Sequence, residues 1–149
     1  MKKLAFIVLM TLIISSCSTP RMYYWGSDPL FDNGVSKYEK LAYKNYDKQT
    51  PESICELVCL YEDMVNHPGG SRGLVPPGIY AEYGYLLLLP STAEAFEKHA
   101  TKRQRSIFSS TNYASSFPIK GEEMMKKEME LYPESAKFIA PLLKQLTGK

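Results

Sequence analysis

The chain has 149 residues, of which 44% are hydrophobic and 23% are charged, and its formal net charge is +2 at pH 7. Such a composition suits one globular domain with a modest hydrophobic core. The charge is too small for the extended basic surface on which nonspecific nucleic-acid binding depends, so we expect no nucleic-acid partner.

The N-terminus has the pattern of a secretory signal peptide. Lys2 and Lys3 precede an apolar stretch, residues 4–14, that only Thr11 interrupts. The stretch is too short for a membrane-spanning helix, which needs about 20 apolar residues. A basic start followed by a short apolar core is typical of secretion signals, so we expect residues 1–16 to be removed on export.

The end of this stretch, Ile14-Ser15-Ser16-Cys17, resembles the lipobox of bacterial lipoproteins, with Ile14 where leucine is commonest. The resemblance implies transfer of diacylglycerol to the Cys17 sulfur, cleavage before Cys17 and acylation of the new amino group. Several acyl chains together anchor a protein stably, whereas one chain binds a membrane only marginally. The alternative is an ordinary signal peptide with an incidental cysteine.

Ser18 follows the cysteine, at the position where an aspartate retains lipoproteins at the inner membrane in enterobacteria-like sorting. We therefore expect a lipid-anchored protein of the outer membrane that faces the periplasm. Residues 17–34 form the predicted lipidated tether and aromatic segment. Its aromatic cluster, residues 22–26 (MYYWG), can lie at the membrane interface or pack onto the domain that follows, and we expect packing.

Residues 35–149 are predicted to form one all-α domain of short antiparallel helix pairs, because apolar residues recur at helical spacing. The first helix is expected over 35–47, with four residues at that spacing: Tyr38, Leu41, Ala42 and Tyr46. Thr50 and Pro51 suit the N-cap and the first position of a second helix, whose apolar stripe ends before His67.

The second half of the chain predicts further helices separated by turn signals. They are expected over 78–89, from a capping box at 91–94 to about 107, over 120–131, and after residue 135. Residues 108–118 are rich in serine and predict a loop. The last helix is expected to kink at Pro141.

The helix predicted over 78–89 carries a pattern for close helix crossing, in which bulky residues flank a small one: Tyr80, Tyr83, Gly84 and Leu87. This pattern resembles the first helix of a tetratricopeptide repeat. Gly121, Met125 and Pro133 are spaced as the second helix of such a repeat requires. The resemblance implies a tetratricopeptide-repeat-like helical stack.

The spacing of the two halves departs from the repeat. About 25 residues, from Pro90 to Pro118, are inserted between the two helices when they are compared with an uninterrupted repeat. In a second possible pairing, the helix over 92–107 is the partner and 120–131 is an extra element. The sequence leaves both pairings open.

Three segments after the lipobox together resemble a family of small bacterial lipoproteins of uncharacterised function with repeat-like helices. They are YYWG at 23–26, VPPGIYAEYGYLLL at 75–88 and KEMELYPES at 127–135. The resemblance covers most of the mature chain apart from the insertion. It implies an envelope lipoprotein encoded beside other lipoproteins, one of which resembles the curli secretion channel, and it implies no catalytic activity.

Residues that carry chemistry are few and poorly grouped. Cys55 and Cys59 lie four positions apart on one helix, where they meet poorly for a disulfide. With His67 they still lack a fourth metal ligand, so we expect both thiols to pack against a neighbouring helix and expect no metal. Neither His67 nor His99 lies in a nucleophile motif.

The acidic residues near the C-terminus lie among lysines and predict a solvent-exposed helix face: Glu122, Glu123, Glu128 and Glu130. We therefore predict no catalytic residue, no cofactor and no enzyme activity. Two functions remain open. The first is an accessory subunit of an outer-membrane lipoprotein assembly that acts through protein contacts. The second is a periplasmic module that binds a peptide or protein in a helical groove.

Overall fold

The computed structural model describes residues 20–26 and 34–148. This part of the chain contains helices and no strand, which confirms the all-α prediction. The helices are α1 (Lys37–Asp47), α2 (Pro51–Asn66), α3 (Ile79–Leu88), α4 (Pro90–His99), α5 (Lys102–Arg105), α6 (Tyr113–Leu131) and α7 (Ala136–Thr147), with a 3-10 turn at Pro133–Ser135. The predicted signal peptide and the predicted lipid attachment at Cys17 lie outside the described residues.

The starts of α1 and α2 are set by local side-chain caps. Thr50 accepts a hydrogen bond from the Ser53 backbone N–H, and the Ser53 hydroxyl accepts one from the Thr50 N–H. Ser36 and Glu39 form the same reciprocal pair at α1. Each pair satisfies N–H groups that the first helical turn leaves free, and the predicted start of α2 at Thr50 is confirmed.

Helix α2 is the central element of the hydrophobic core and contacts α1, α3 and α4. Its predicted apolar stripe is buried along most of its length, through Ile54, Leu57, Val58, Tyr61 and Met64. The helix ends at Asn66 with His67 as the C-cap, as the sequence predicts. Amphipathic spacing therefore identified the face on which the neighbouring helices pack.

Helices α3 and α6 cross closely at two glycines. A Cβ atom added to Gly84 would lie 2.7 Å from the Gly121 carbonyl oxygen, and one added to Gly121 would lie 2.9 Å from the Gly84 carbonyl oxygen. Both distances are too short for any side chain, so the two backbones touch directly. The first of the two predicted pairings, 78–89 with 120–131, is the one that forms. The tetratricopeptide-repeat-like stack itself stays a prediction.

The boundaries of α4, α5 and α6 differ from the prediction. Helix α4 begins at Pro90 without a side-chain cap, so the predicted capping box at 91–94 is wrong. It ends at His99 instead of near 107, because Thr101 caps a separate short helix, α5. Asn112 caps α6, which therefore starts before Pro118 and includes half of the predicted serine-rich loop.

The segment predicted as an insertion supplies part of the core. Phe96 of α4 lies at its centre, with ring centroids 4.9 to 5.3 Å from those of Phe108, Tyr113 and Phe117. These three rings also contact one another. The edge-to-face geometry of the Phe96 contacts is the arrangement that aromatic rings prefer. Residues 90–118 are therefore part of the folded unit and not an appendage to it.

The aromatic cluster near the N-terminus packs on the domain, as predicted. The Tyr24 hydroxyl donates a 2.9 Å hydrogen bond to Asp63 of α2. The Trp25 ring lies 5.2 Å from the ring of Tyr38 on α1. The side chains of this N-terminal segment thus contact both α2 and α1.

Helix α7 packs against α3 and α6, and it continues through Pro141. Its only buried residue, Ile139, lies in a small cluster with Leu88 and Met125. Among the described residues, no helix has the length and apolar character that crossing a membrane requires.

Candidate functional site

The residues of the predicted crossing motif meet around α3. Tyr80, Tyr83 and Leu87 are buried on either side of the Gly84 contact with α6. Pro133 lies at the end of α6, where it begins the exposed 3-10 turn. The motif therefore acts in helix packing. The hydroxyl group of Tyr83 makes a further contact, with a carboxylate of α2.

An ion pair between a buried carboxylate and a partly exposed lysine lies beside the crossing. The Glu62 carboxylate of α2 accepts a 2.6 Å hydrogen bond from the Tyr83 hydroxyl and contacts the Lys120 ammonium of α6 at 2.5 Å. The Asn66 side chain donates a third hydrogen bond, at 3.0 Å. Three donors on one buried carboxylate offset the cost of removing its charge from water. Burial, followed by the Glu62 charge, raises the pKa of Tyr83, so this phenol stays a donor.

A second carboxylate accepts hydrogen bonds from two tyrosines. Glu82 of α3 accepts hydrogen bonds of 2.7 Å from both Tyr38 of α1 and Tyr61 of α2. Burial and the Glu82 carboxylate raise the pKa of both phenols. Since each hydroxyl already donates to a carboxylate, neither tyrosine is placed to act as a general base. The contact instead ties three helices together.

The same tyrosines form a continuous run of rings across the domain. Successive centroids lie 5.2 to 6.5 Å apart along Tyr23, Trp25, Tyr38, Tyr61 and Tyr83. We call this set the aromatic run. It links the N-terminal segment to α1, α2 and α3 in turn, so that five of the aromatic residues hold elements together through ring contacts.

Glu128 contradicts the predicted solvent-exposed acidic face. It is only 2% exposed, and its Oε1 accepts a 2.7 Å hydrogen bond from the Gly78 N–H at the start of α3. Gly78 is the N-cap of α3, has φ of 91° and offers no side chain to cap the helix. Burial raises the pKa of Glu128, while the N–H groups of Gly78, Ala81 and Tyr80 oppose that rise. A carboxylate from α6 thus supplies the missing cap.

A cavity of about 420 Å³ opens beside the ion pair of Glu62 and Lys120, between α2, α3, α6 and the loop that precedes α6. Its walls include the rings of Tyr80, Phe108 and Phe117. Two ammonium groups lie over these rings: Lys127 is 4.8 Å from the Tyr80 ring centre, and Lys120 is 5.7 Å from that of Phe108. A volume of this size is in the range of small-ligand pockets. Because Lys120 is already paired with Glu62 and Glu123 also lines the cavity, Lys127 is the ammonium group placed to meet an anionic group on an apolar ligand.

Cys55 and Cys59, the two cysteines in the described part of the chain, show no sign of reactivity. Cys55 is buried, with its Sγ 3.6 Å from the carbonyl oxygen of Ala95 on α4, as the packing prediction requires. Burial raises the pKa of Cys55 to about 11 and that of Cys59 to about 12. Thiols with such pKa values stay protonated near neutral pH and are poor nucleophiles and poor metal ligands. Within the described ranges, no three His, Cys, Asp or Glu side chains are grouped to hold a metal ion.

The two histidines occupy exposed positions at helix ends. His67 Nδ1 lies 3.0 Å from Asp63 Oδ1, at the C-terminus of α2. His99 Nδ1 lies 3.4 Å from Glu52 Oε1, at the opposite end of that helix. Both contacts have ion-pair geometry, the first within α2 and the second between α4 and α2, and neither brings a histidine to a serine or cysteine nucleophile.

Helix α1 carries an exposed aromatic surface that the sequence pattern did not separate from its packing side. Tyr38 and Leu41 pack against the core, but Tyr46, predicted on the same stripe, is 92% exposed. Tyr43 is 74% exposed and Val35 is 45% exposed. We call Val35, Ala42, Tyr43 and Tyr46 the α1 tyrosine face. None of the residues of α1 is fully buried, so this helix adds little to the core and presents much to solvent.

Comparison of the chain with protein-family models, with curated proteins and with solved structures finds no match.

Proposed function

We propose that the protein is a lipid-anchored lipoprotein of the cell envelope that acts as an accessory subunit of an outer-membrane lipoprotein assembly through protein contacts. The lipobox at Cys17 and the family resemblance support the anchor and the envelope location. The α1 tyrosine face supports the mode of action, and it is the single observation that carries the proposal. Other envelope lipoproteins, one resembling the curli secretion channel, are the expected partners.

The α1 tyrosine face has the chemistry of a protein interface. Tyr43 and Tyr46 offer large apolar rings with a hydroxyl at the tip, and tyrosine is enriched at the energetic centres of interfaces. Their rings lose little conformational freedom on binding, since each side chain has only two rotatable angles. Together with Val35 and Ala42 they form an exposed apolar surface, and such surfaces mark protein interaction sites.

The test is photocrosslinking in living cells. A photoreactive phenylalanine analogue replaces Tyr43 or Tyr46 in the full chain, and the matched control carries it at Tyr85, an exposed tyrosine of α3. We expect a defined adduct with an envelope lipoprotein from Tyr43 and Tyr46 but not from Tyr85. Cys17→Ala should abolish both the adduct and membrane recovery. A membrane-anchored protein without adducts at either position would contradict the accessory-subunit function.

The cavity beside Lys120 favours a second function, that of a module binding a peptide or protein. An extended peptide with an apolar side chain and a free carboxylate matches its rings and the Lys127 ammonium. Binding of a random peptide library to the purified protein, compared with a Lys127→Met variant, tests this function. Enrichment of apolar C-terminal sequences that the variant loses while its melting temperature is unchanged would favour it over the accessory-subunit function.

A further inference from the structure

We propose that the end of the domain that carries Met22, Arg72 and Leu74 rests on the surface of the membrane that holds Cys17, with anionic phospholipid as the ligand. We call these three residues the tether-end surface. The inference deepens the proposed function and rests on its lipid anchor. It follows from the length of chain between the anchor and the folded domain.

The N-terminal segment joins the domain almost at once after Cys17. The carbonyl oxygen of Arg21 accepts a 2.9 Å hydrogen bond from the Ser71 N–H, and that of Met22 accepts one of 3.1 Å from the Arg72 N–H. The Tyr24 bond to Asp63 adds a third attachment. Position 21 is therefore fixed to the domain by the loop that follows α2.

Only three residues, 18–20, separate Cys17 from this fixed point. Even when fully extended, that length of chain places the Cα of Cys17 within about 14 Å of the Cα of Arg21. An anchor at Cys17 lies at the headgroup level of the bilayer. The tether end of the domain must then lie within about 14 Å of the headgroup level, which is close enough for its side chains to reach the polar and interfacial region, some 5 to 8 Å deep on each side.

The surface at this end has the chemistry that such a position favours. Met22 is 55% exposed and Leu74 is 47% exposed, although both are large apolar side chains. Arg72 is also exposed. It lies two positions before Leu74, its backbone N–H bonds to the Met22 carbonyl oxygen, and its side chain donates a 3.1 Å hydrogen bond to the Tyr23 hydroxyl. Apolar side chains at the headgroup boundary gain from burial, and an arginine forms charge-assisted hydrogen bonds with phosphate. Anionic phospholipid therefore satisfies both parts of the tether-end surface.

Helix α2 gives the domain two distinguishable ends. Asp63, which binds Tyr24, lies near its C-terminus, and Glu52, which binds His99, lies near its N-terminus. The two acids are eleven positions apart, which is about 16 Å along a helix axis. Lys98 lies at the far end, in a pocket that it shares with Pro51 and His99. A probe there reports on the end that the proposal places away from the membrane.

Trp25 is the only tryptophan of the chain and serves as a natural probe of the tether end. The test uses the full lipidated protein in vesicles of phosphatidylethanolamine and phosphatidylglycerol that contain a headgroup spin label. We expect strong quenching of Trp25 fluorescence. The matched control, Trp25→Phe with Lys98→Trp, should show little quenching. Equal quenching at the two positions, or none at either, overturns the proposal.

Two further variants separate binding by the surface from closeness imposed by the tether. A flexible linker inserted between Ser18 and Thr19 frees the domain to move away, yet Trp25 quenching should persist. Adding Met22→Ser and Leu74→Ser to that linker variant should abolish the quenching, with an unchanged melting temperature as the folding control. Loss of quenching with the linker alone overturns the proposal.

The mass of the intact protein shows whether a negative result contradicts the lipid anchor or only the membrane contact of the tether-end surface. A chain without acyl groups contradicts the proposed lipoprotein and this inference together. An acylated chain whose Trp25 is not quenched contradicts only the membrane contact of the tether-end surface.

Discussion

The carboxylate of Glu128 on α6 caps the N-terminus of α3 by accepting a 2.7 Å hydrogen bond from Gly78. Helix starts are usually capped by a side chain from the residue that precedes them, as Thr50 caps α2. Here the cap comes from a position 50 residues later in the chain. The same hydrogen bond therefore caps α3 and joins it to α6, so a change at Glu128 should affect both helices.

Replacing Glu128 by alanine should destabilise the protein by about 1 to 3 kcal/mol, because it leaves the partly buried Gly78 N–H without its acceptor. Glu128→Gln keeps an oxygen at the same place and should cost less than the alanine variant. Urea unfolding of the three proteins measures both differences. Equal losses for the two variants would mean that side-chain packing, and not the cap, stabilises this helix start.

The same carboxyl predicts a pH dependence of stability. Burial raises the pKa of Glu128 in the folded protein above its value in the unfolded chain. The folded state therefore binds the proton more tightly, so this group favours folding most at pH values below its unfolded pKa. Its contribution declines as pH rises through the raised folded pKa. Unfolding free energies of the wild type and Glu128→Gln, measured from pH 4 to 8, should differ by an amount that changes in this direction.

The glycine contact of α3 and α6 predicts intolerance to a single methyl group. Gly84→Ala and Gly121→Ala each place a Cβ within 3 Å of the opposite carbonyl oxygen. Overpacking of this kind costs roughly 1 to 3 kcal/mol, even though alanine favours helix by about 1 kcal/mol over glycine. Thermal unfolding should show lower melting temperatures for both. Because both changes push the same two backbones apart, the double variant should lose less than the sum of the single losses.

The ion pair of Glu62 and Lys120 predicts that removing the lysine alone destabilises the protein more than removing both charges. Lys120→Met leaves a buried carboxylate without its cation and should cost about 3 kcal/mol. Glu62→Gln in the same background removes the uncompensated charge and should restore part of the loss. As a control, Lys98→Ala breaks an exposed pair with Glu94 and should cost less than about 0.5 kcal/mol. A Lys120→Met protein as stable as the control would show that water screens Glu62.

Much of the fold could be predicted because it depends on local signals. The cap at Thr50, the stripe of α2 and the small residue at Gly84 are each visible within a few positions of sequence, and each has the structural role that was expected. The pairing of α3 with α6 could not be chosen locally, because it depends on which distant glycine approaches Gly84. Gly121 determines the pairing, because any side chain at this position would prevent the close contact with Gly84.

The errors have the same origin. Glu128 was predicted to face solvent because its neighbours are charged, but Gly78 leaves a helix start that requires an acceptor from elsewhere. Tyr46 was predicted to share a stripe with Tyr38, but only Tyr38 finds a carboxylate on α3 and a ring on α2. Residues 113–118 were predicted to be a loop because of their serines, but Asn112 and two buried rings make them helical. In each case, a partner far along the chain outweighed the local pattern.

The attachment of residues 21–25 to three separate parts of the domain has a mechanical consequence. A load applied at the N-terminal side of Arg21 meets the two backbone bonds to the loop after α2, then the Tyr24 bond to Asp63, then the ring contact with α1. The load therefore reaches the loop first, then α2 through Asp63 and α1 through Tyr38. The segment distributes force applied at the N-terminal side over a loop and two helices, so that the force does not act on the start of α1 alone.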